Sequence, residues 1–164
     1  MSELPRPIAL DRIGPSGVTV TVEASPTELE AIARRLMLPA VTRLHCVFQL
    51  RRIAAGIFAA DGVLEAVAEQ VCVLSLDRFT QPIQEAFTIH FVPAGEEDDE
   101  PEPDAVDQIP YDSGAVDLGE AAIEQLALAL DPYPRKPGAT LECSPDTEAG
   151  PFGALAHLRP RLQD

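Results

Sequence analysis

Apolar side chains recur at every second position between residues 42 and 91, and this period of two restricts the chain to folds built around a β-sheet. The first run puts one set of apolar residues on a single strand face: Leu44, Cys46, Phe48 and Leu50. A second run covers residues 63–74, and a third alternates through Ile83, Phe87, Ile89 and Phe91. The Asp61-Gly62 pair between the first two runs is a preferred hairpin turn, so we predict that these strands are antiparallel.

The apolar phase changes after Leu50, where the next apolar positions are Ile53 and Ile57. This change predicts a bulge near Arg51-Arg52, or a strand that switches its buried face. A bulge would curl the sheet, and the sequence leaves open whether the curled sheet closes into a barrel. Shorter strands are predicted at residues 18–23 and, at an edge, at 8–10. We therefore predict a curled antiparallel sheet of about four to six strands.

Two segments have the apolar spacing of amphipathic helices. The first follows Ser25, with Pro26 in the first turn, Glu28 completing a capping box, and a buried stripe of Leu29, Ile32, Ala33 and Leu36. The second follows Asp117, with Glu120 three residues later and a stripe of Ile123, Leu126, Ala127 and Leu130. Together with the sheet, these helices predict an α+β fold in which residues 1–164 form a single domain.

A proline-rich segment, which we call the strap (residues 131–138), follows the second helix. Pro132, Pro134 and Pro137 keep it extended, so that Tyr133, Arg135 and Lys136 are displayed.

The second helix and the strap, taken with Gln70-Val-Cys-Val-Leu-Ser-Leu76, resemble the YceD family of large ribosomal RNA subunit accumulation proteins, in particular its alphaproteobacterial branch. The likeness extends to Ile8-Ala-Leu-Asp-Arg-Ile13, to the acidic insert described below and to Pro151-Phe-Gly-Ala-Leu-Ala156. It implies a role in accumulation of the 23S ribosomal RNA and in assembly of the large subunit, and it carries no catalytic residues to this chain. Many members have a Cys-x-x-Cys pair where this chain has Cys72 and Ser75, so no metal or redox role follows at this position.

The net charge of −15 is concentrated in one part of the chain. Between Arg78 and Arg135 there is no Lys or Arg, but there are 14 carboxylates. The densest run is Glu96-Glu-Asp-Asp-Glu100, with prolines at 101, 103 and 110. Because this stretch has too little apolar material to offset the entropy of ordering, we predict a flexible, disordered acidic loop at residues 95–113. It is either a solvated insert or a docking arm for a basic protein.

The candidate partner-binding residues lie in the acidic loop, on the second helix and on the strap: Glu96, Glu97, Asp98, Asp99, Glu100, Glu120, Glu124, Tyr133, Arg135 and Lys136. Glu120 and Glu124 have an alternative role in capping and solvating the helix. Arg135 and Lys136 either contact a phosphate or balance nearby acids.

We predict neither a metal nor a cofactor nor a small-molecule substrate. Cys46, Cys72 and Cys143 are widely spaced and are expected to be free thiols, with Cys72 the one whose role is uncertain. His45, His90 and His157 fall on separate elements. Because the chain has no nucleophile elbow, phosphate-cradling loop or dinucleotide fingerprint, we predict that it is not an enzyme and has no catalytic residues.

The start of the chain lacks a basic segment followed by an apolar run, and no stretch of about 18 apolar residues occurs. A cytoplasmic protein without membrane contact is therefore expected.

The leading hypothesis is a non-enzymatic assembly factor that binds a basic ribosomal protein or a precursor of the large subunit. So acidic a chain is repelled by a phosphate backbone, although a local ribosomal RNA contact through Arg43, Arg51, Arg52 and the strap stays open. One alternative is a direct RNA-binding protein that is autoinhibited by its acidic loop. Another is a protein-interaction module with a different role.

Overall fold

The computed structural model describes residues 2–96, 106–112 and 114–140. Its elements, in chain order, are β1 (Pro7–Ala9), a short 3-10 turn (Leu10–Arg12), β2 (Val18–Glu23), α1 (Pro26–Arg35), β3 (Ala40–Ala54), β4 (Ile57–Val71), β5 (Arg78–Pro93), β6 (Asp107–Tyr111), β7 (Ala115–Asp117) and α2 (Leu118–Ala129). The predicted α+β class with two helices is confirmed. Glu97, Asp98, Asp99 and Glu100, as well as Cys143, His157 and residues 151–156, lie outside the described residues.

The main sheet has five strands in the order β2-β3-β4-β5-β6, and β1 pairs with β7 in a separate antiparallel ribbon. Strands β2 to β5 pair antiparallel, as predicted, and the sheet differs from the prediction only at one edge, where β6 runs parallel to β5. The end of β5 at Pro93 and the start of β6 at Asp107 lie at opposite ends of the paired segment, and parallel neighbours of this kind need a crossover connection. The sheet is open, with β2 and β6 as its edges in the part of the chain that the structure describes.

Strand β6 falls within the predicted acidic loop of residues 95–113. Residues 107–111 are therefore not part of a loop but pair with β5 from Ile89↔Asp107 to Pro93↔Tyr111. The sequence signal was weak because this strand has five residues, one of them Pro110. Proline is tolerated in an edge strand, because the position of its missing N–H can face away from the neighbouring strand.

The turn predicted at Asp61-Gly62 is wrong. Both residues lie in the middle of β4, and the turn between β3 and β4 is instead at Ala55-Gly56, where Gly56 has a φ of +75°. Asp61 serves cross-strand contacts, since its carboxylate accepts hydrogen bonds from Arg51 on β3 and Thr88 on β5, each at 2.8 Å. The β3–β4 register shifts between Arg52 and Ala54, next to the position at which the sequence predicts a bulge or a switch of the buried face.

One face of the sheet packs on α2, whose contacts reach β1, β2, β4 and β5. The helix is buried around most of its circumference, at Leu118, Gly119, Ala121, Ala122, Ile123, Gln125 and Leu126. Two members of the predicted stripe, Ile123 and Leu126, are in the core, but Ala127 is exposed. The buried arc is centred on Ala122, because small side chains there let the helix approach the sheet closely.

Helix α1 has the predicted capping box at Ser25 and Glu28 and buries Leu29, Ile32 and Ala33. It packs mainly on β3.

Candidate functional site

The N-terminus of α2 is bound to the first residues of the chain. The Asp117 carboxylate accepts hydrogen bonds from the backbone N–H groups of Gly119 at 2.9 Å, Glu120 at 3.3 Å and Arg6 at 2.9 Å. The Leu118 N–H donates to the Arg6 carbonyl at 3.1 Å. Asp117 is therefore the predicted N-cap, and it also holds residues 2–6 across the start of the helix.

Glu120, a predicted partner-binding residue, is engaged within the protein. Its carboxylate binds the Arg35 guanidinium at the end of α1, with one contact of 2.9 Å, and Arg35 also binds Glu3 at 2.8 Å. This contact with Arg35 lowers the pKa of Glu120. Asp117 and Glu120 thus form only half of a capping box, because the Glu120 side chain binds Arg35 instead of the Asp117 amide. Glu120 joins the two helices and the N-terminal segment.

A second ion pair fastens the same segment to α1. Arg6 binds both carboxylate oxygens of Glu28, at 2.9 and 3.1 Å. The hydrogen bond from Arg6, followed by that from the Ser25 amide, lowers the pKa of Glu28 to about 2. Bidentate arginine–carboxylate pairs are among the stronger surface contacts, so this one helps to fix the N-terminal segment.

Glu124, one turn beyond Glu120, is exposed, and no hydrogen bond or ion pair of the described residues involves it. Partial burial, together with the nearby negative charge of Glu120, raises the pKa of Glu124. Of the two predicted helix carboxylates, Glu124 is the one that a partner can reach.

The strap lies against the turn between β4 and β5. The Val73 N–H donates to the Pro134 carbonyl at 2.9 Å, and the Gln70 amide donates to the Asp131 carbonyl at 3.2 Å. Lys136 pairs with Asp77 at 3.3 Å. Tyr133 and Arg135 are exposed, as predicted. The structure therefore brings the strap to the Cys72 turn, well along α2 from the carboxylates of its first turns.

Cys72 is buried in this turn. Its sulfur accepts a hydrogen bond from the Ser75 N–H at 3.5 Å. Hydrogen bonds from the Ser75 hydroxyl and amide, and from the amides of Lys136 and Leu74, lower the pKa of the Cys72 thiol to about 7. Burial instead raises the pKa of Cys46 to about 12. The two thiols thus differ in chemistry, and Cys72 is a fixed part of the turn rather than of a strand.

Most cations of the described chain are neutralised within it. Six of its ten Lys and Arg residues lie within 4.0 Å of a carboxylate: Arg6, Arg35, Arg43, Arg51, Arg78 and Lys136. Arg52 lies over the Phe58 ring, 5.7 Å from its centroid. Arg43, Arg51 and Arg52, kept open above as RNA contacts, are therefore all engaged on the sheet.

Sequence reasoning missed two residues of this region. In the sequence, Arg35 is an ordinary cation in the last turn of a helix. Its ion pair with Glu120 on α2 depends on the tertiary structure. Gly119 could have been noticed in the sequence, because glycine is unfavourable inside a helix and its presence there indicates a tertiary constraint. The reason is the close approach of the Leu4 backbone to this position.

Within residues 2–96, 106–112 and 114–140, no group of three or more His, Cys, Asp or Glu side chains is arranged to hold a metal ion. The helices in these ranges are all too short or too polar to span a bilayer.

The sequence model of one protein family, described as "Large ribosomal RNA subunit accumulation protein YceD", matches residues 60–159. The matched part runs from β4 through α2 and the strap into the C-terminal residues. No curated protein and no solved structure is significantly similar to the chain.

Proposed function

This chain belongs to the YceD family of large ribosomal RNA subunit accumulation proteins, and on that premise we propose that it is a cytoplasmic, non-enzymatic factor that assists assembly of the large ribosomal subunit by binding a basic ribosomal protein or precursor particle. Family membership supports a role related to ribosome biogenesis. The binding mechanism is inferred from the distribution of charge.

The observation that carries the proposal is the contrast between the paired cations of the described residues and the excess of carboxylates in one span of the sequence. Six of the ten described cations are held by carboxylates of the same chain. The excess carboxylates lie on one span of the sequence, between Arg78 and Arg135. A surface of this kind attracts cationic proteins from a distance and repels phosphate backbones.

Ribosomal proteins that bind RNA need Lys and Arg to replace counterions on the phosphates. Before they reach the RNA, these cations are exposed and favour contact with any anionic surface. An acidic factor that covers them is displaced when the RNA, with its denser charge, competes. This exchange would support subunit assembly without a chemical step.

We expect that neutralising the acidic run weakens binding to basic large-subunit proteins. In a variant with Glu97→Gln, Asp98→Asn, Asp99→Asn and Glu100→Gln, affinity should fall roughly tenfold at low ionic strength, because long-range attraction is lost, and should depend less steeply on salt. The measurement is capture of purified large-subunit proteins on the immobilised chain at increasing salt concentration.

The matched control neutralises four exposed carboxylates outside the acidic run: Asp11, Glu23 and Glu30, which precede Arg78, and Glu85, which lies on β5. It changes the total charge equally, so the proposal expects it to retain most of the affinity. Equal affinity of the acidic-run variant and the unchanged chain would contradict the proposal. A gain in RNA binding by the same variant, in a mobility-shift assay, would support the RNA-binding alternative instead.

A further inference from the structure

A groove of about 280 Å³ lies where β6, β7 and the first turns of α2 meet. Its apolar lining comes from three elements and the neighbouring strand β5: Phe91, Ile109, Pro110, Tyr111, Ala115, Val116 and Ala121. A groove this small is at the lower limit for a drug-sized ligand but accommodates side chains of a peptide.

The polar lining of the groove is entirely acidic: Asp112, Asp117, Glu120 and Glu124. Two of these carboxylates are used by the fold, since Asp117 caps α2 and Glu120 binds Arg35. Asp112 and Glu124 are exposed, and no ion pair of the described residues involves either. Two carboxylates are thus available beside an apolar floor.

The C-terminal ends of β5 and β6 lie side by side, next to Asp112. Strands β5 and β6 are parallel, with Pro93 paired to Tyr111, and the Ala94 N–H donates to the Tyr111 carbonyl at 3.0 Å. Glu96, the first residue of the acidic run, follows this end of β5 in the sequence. Six carboxylates follow between residues 97 and 105: Glu97, Asp98, Asp99, Glu100, Glu102 and Asp104.

We propose that this groove is the docking site for a Lys- and Arg-rich segment of a partner protein, which inserts an apolar side chain between β6 and α2 and places cations on Asp112 and Glu124. This inference rests on the proposed function and names the part of the surface that recognises the basic partner. Charge complementarity identifies the occupant, because an anionic or neutral segment would leave both carboxylates without a counterion. An added cation also relieves the repulsion between Glu124 and Glu120.

The test is fluorescence anisotropy of the full chain with a labelled synthetic peptide of alternating arginine and leucine. Glu124→Lys is expected to weaken binding roughly tenfold, because one attractive contact is replaced by a repulsive one. The control is Glu30→Lys, which changes the total charge by the same amount at an exposed position of α1 that does not line the groove. It should leave the affinity for the peptide within about twofold. Circular dichroism melting confirms that both variants fold.

Two altered peptides separate the apolar and the charged parts of the interaction. Replacing leucine by serine should weaken binding if the groove takes an apolar side chain, and replacing arginine by citrulline should nearly abolish it. Equal losses in the Glu124→Lys and Glu30→Lys variants would overturn the proposal in favour of general charge attraction. A single-stranded RNA that binds more tightly than the peptide would also overturn it.

The chain's own C-terminal residues are another source of cations, through Arg159 and Arg161. If peptide binding is seen only after residues 141–164 are removed, that segment is the occupant and partner docking is wrong. If the acidic-run variant loses ribosomal-protein binding while Glu124→Lys keeps it, the groove proposal fails and the proposed function stands.

Discussion

The Gly119→Ala variant is expected to lower the free energy of unfolding by about 3 kcal/mol or more, even though alanine is usually the better helix residue by about 1 kcal/mol. A Cβ at position 119 would lie 1.6 Å from the Leu4 carbonyl oxygen. Neither atom belongs to a flexible side-chain end, so the N-terminal segment has to move away. The measurement is chemical denaturation of the full chain.

The expected cost comes from contacts that this displacement breaks. Leu4 is fully buried, and exposing a leucine side chain costs roughly 2 kcal/mol. The Arg6 contacts with Asp117 and Leu118 contribute about 1 kcal/mol each when intact. Gly14→Ala is the control, because its Cβ would meet nothing closer than 3.9 Å. Similar stability of the Gly119→Ala and Gly14→Ala variants would contradict this account of the helix start.

The Gly62→Val variant is expected to destabilise the protein by about 2 kcal/mol, although valine has the higher strand propensity. A Cβ at position 62 would lie 2.2 Å from the end of the Phe87 ring. Phe87 also packs edge-on against Phe48, with ring centroids 5.7 Å apart. Because the ring covers the glycine on the core side of β4, a larger residue displaces it. Thermal melting and denaturant titration both report the loss.

Val63→Thr is the matched control on the same strand. Val63 points to the opposite face and is 44% exposed, so this change should cost less than about 0.5 kcal/mol. If Gly62→Val proved as stable as the unchanged chain, the Phe87 ring would not rest on Gly62.

The sheet and the helices were predictable where one residue spacing dominates. The alternation of Leu44, Cys46, Phe48 and Leu50 reports a strand with one buried face, and all four are buried. Ser25, Pro26 and Glu28 define the start of α1 through local chemistry that needs no tertiary contact. Such signals are reliable because their causes lie within a few residues of one another.

The errors occurred where the outcome depends on distant residues. The Asp61-Gly62 pair has the chemistry of a tight turn, but Arg51, Thr88 and Phe87 supply cross-strand partners that favour an extended chain. The parallel pairing of β6 could not be predicted, because its direction depends on the path of residues 94–106 and not on its own composition.

The candidate site was only partly predictable for the same reason. Glu124 and the exposed Tyr133 and Arg135 follow from helix periodicity and proline spacing. Glu120 was expected to bind a partner or to cap and solvate the helix, whereas the tertiary structure pairs it with Arg35 at the end of α1. The groove itself is formed by β6, β7 and α2 together, and no single segment of the sequence carries its pattern.

The most direct test of the central claim is the ratio of large to small ribosomal subunits in cells with and without this gene, measured by sucrose-gradient sedimentation. We expect a selective deficit of large subunits in the deleted cells, restored by the intact chain and less fully by the acidic-run variant. An unchanged ratio in the deleted cells would contradict a role in large-subunit assembly.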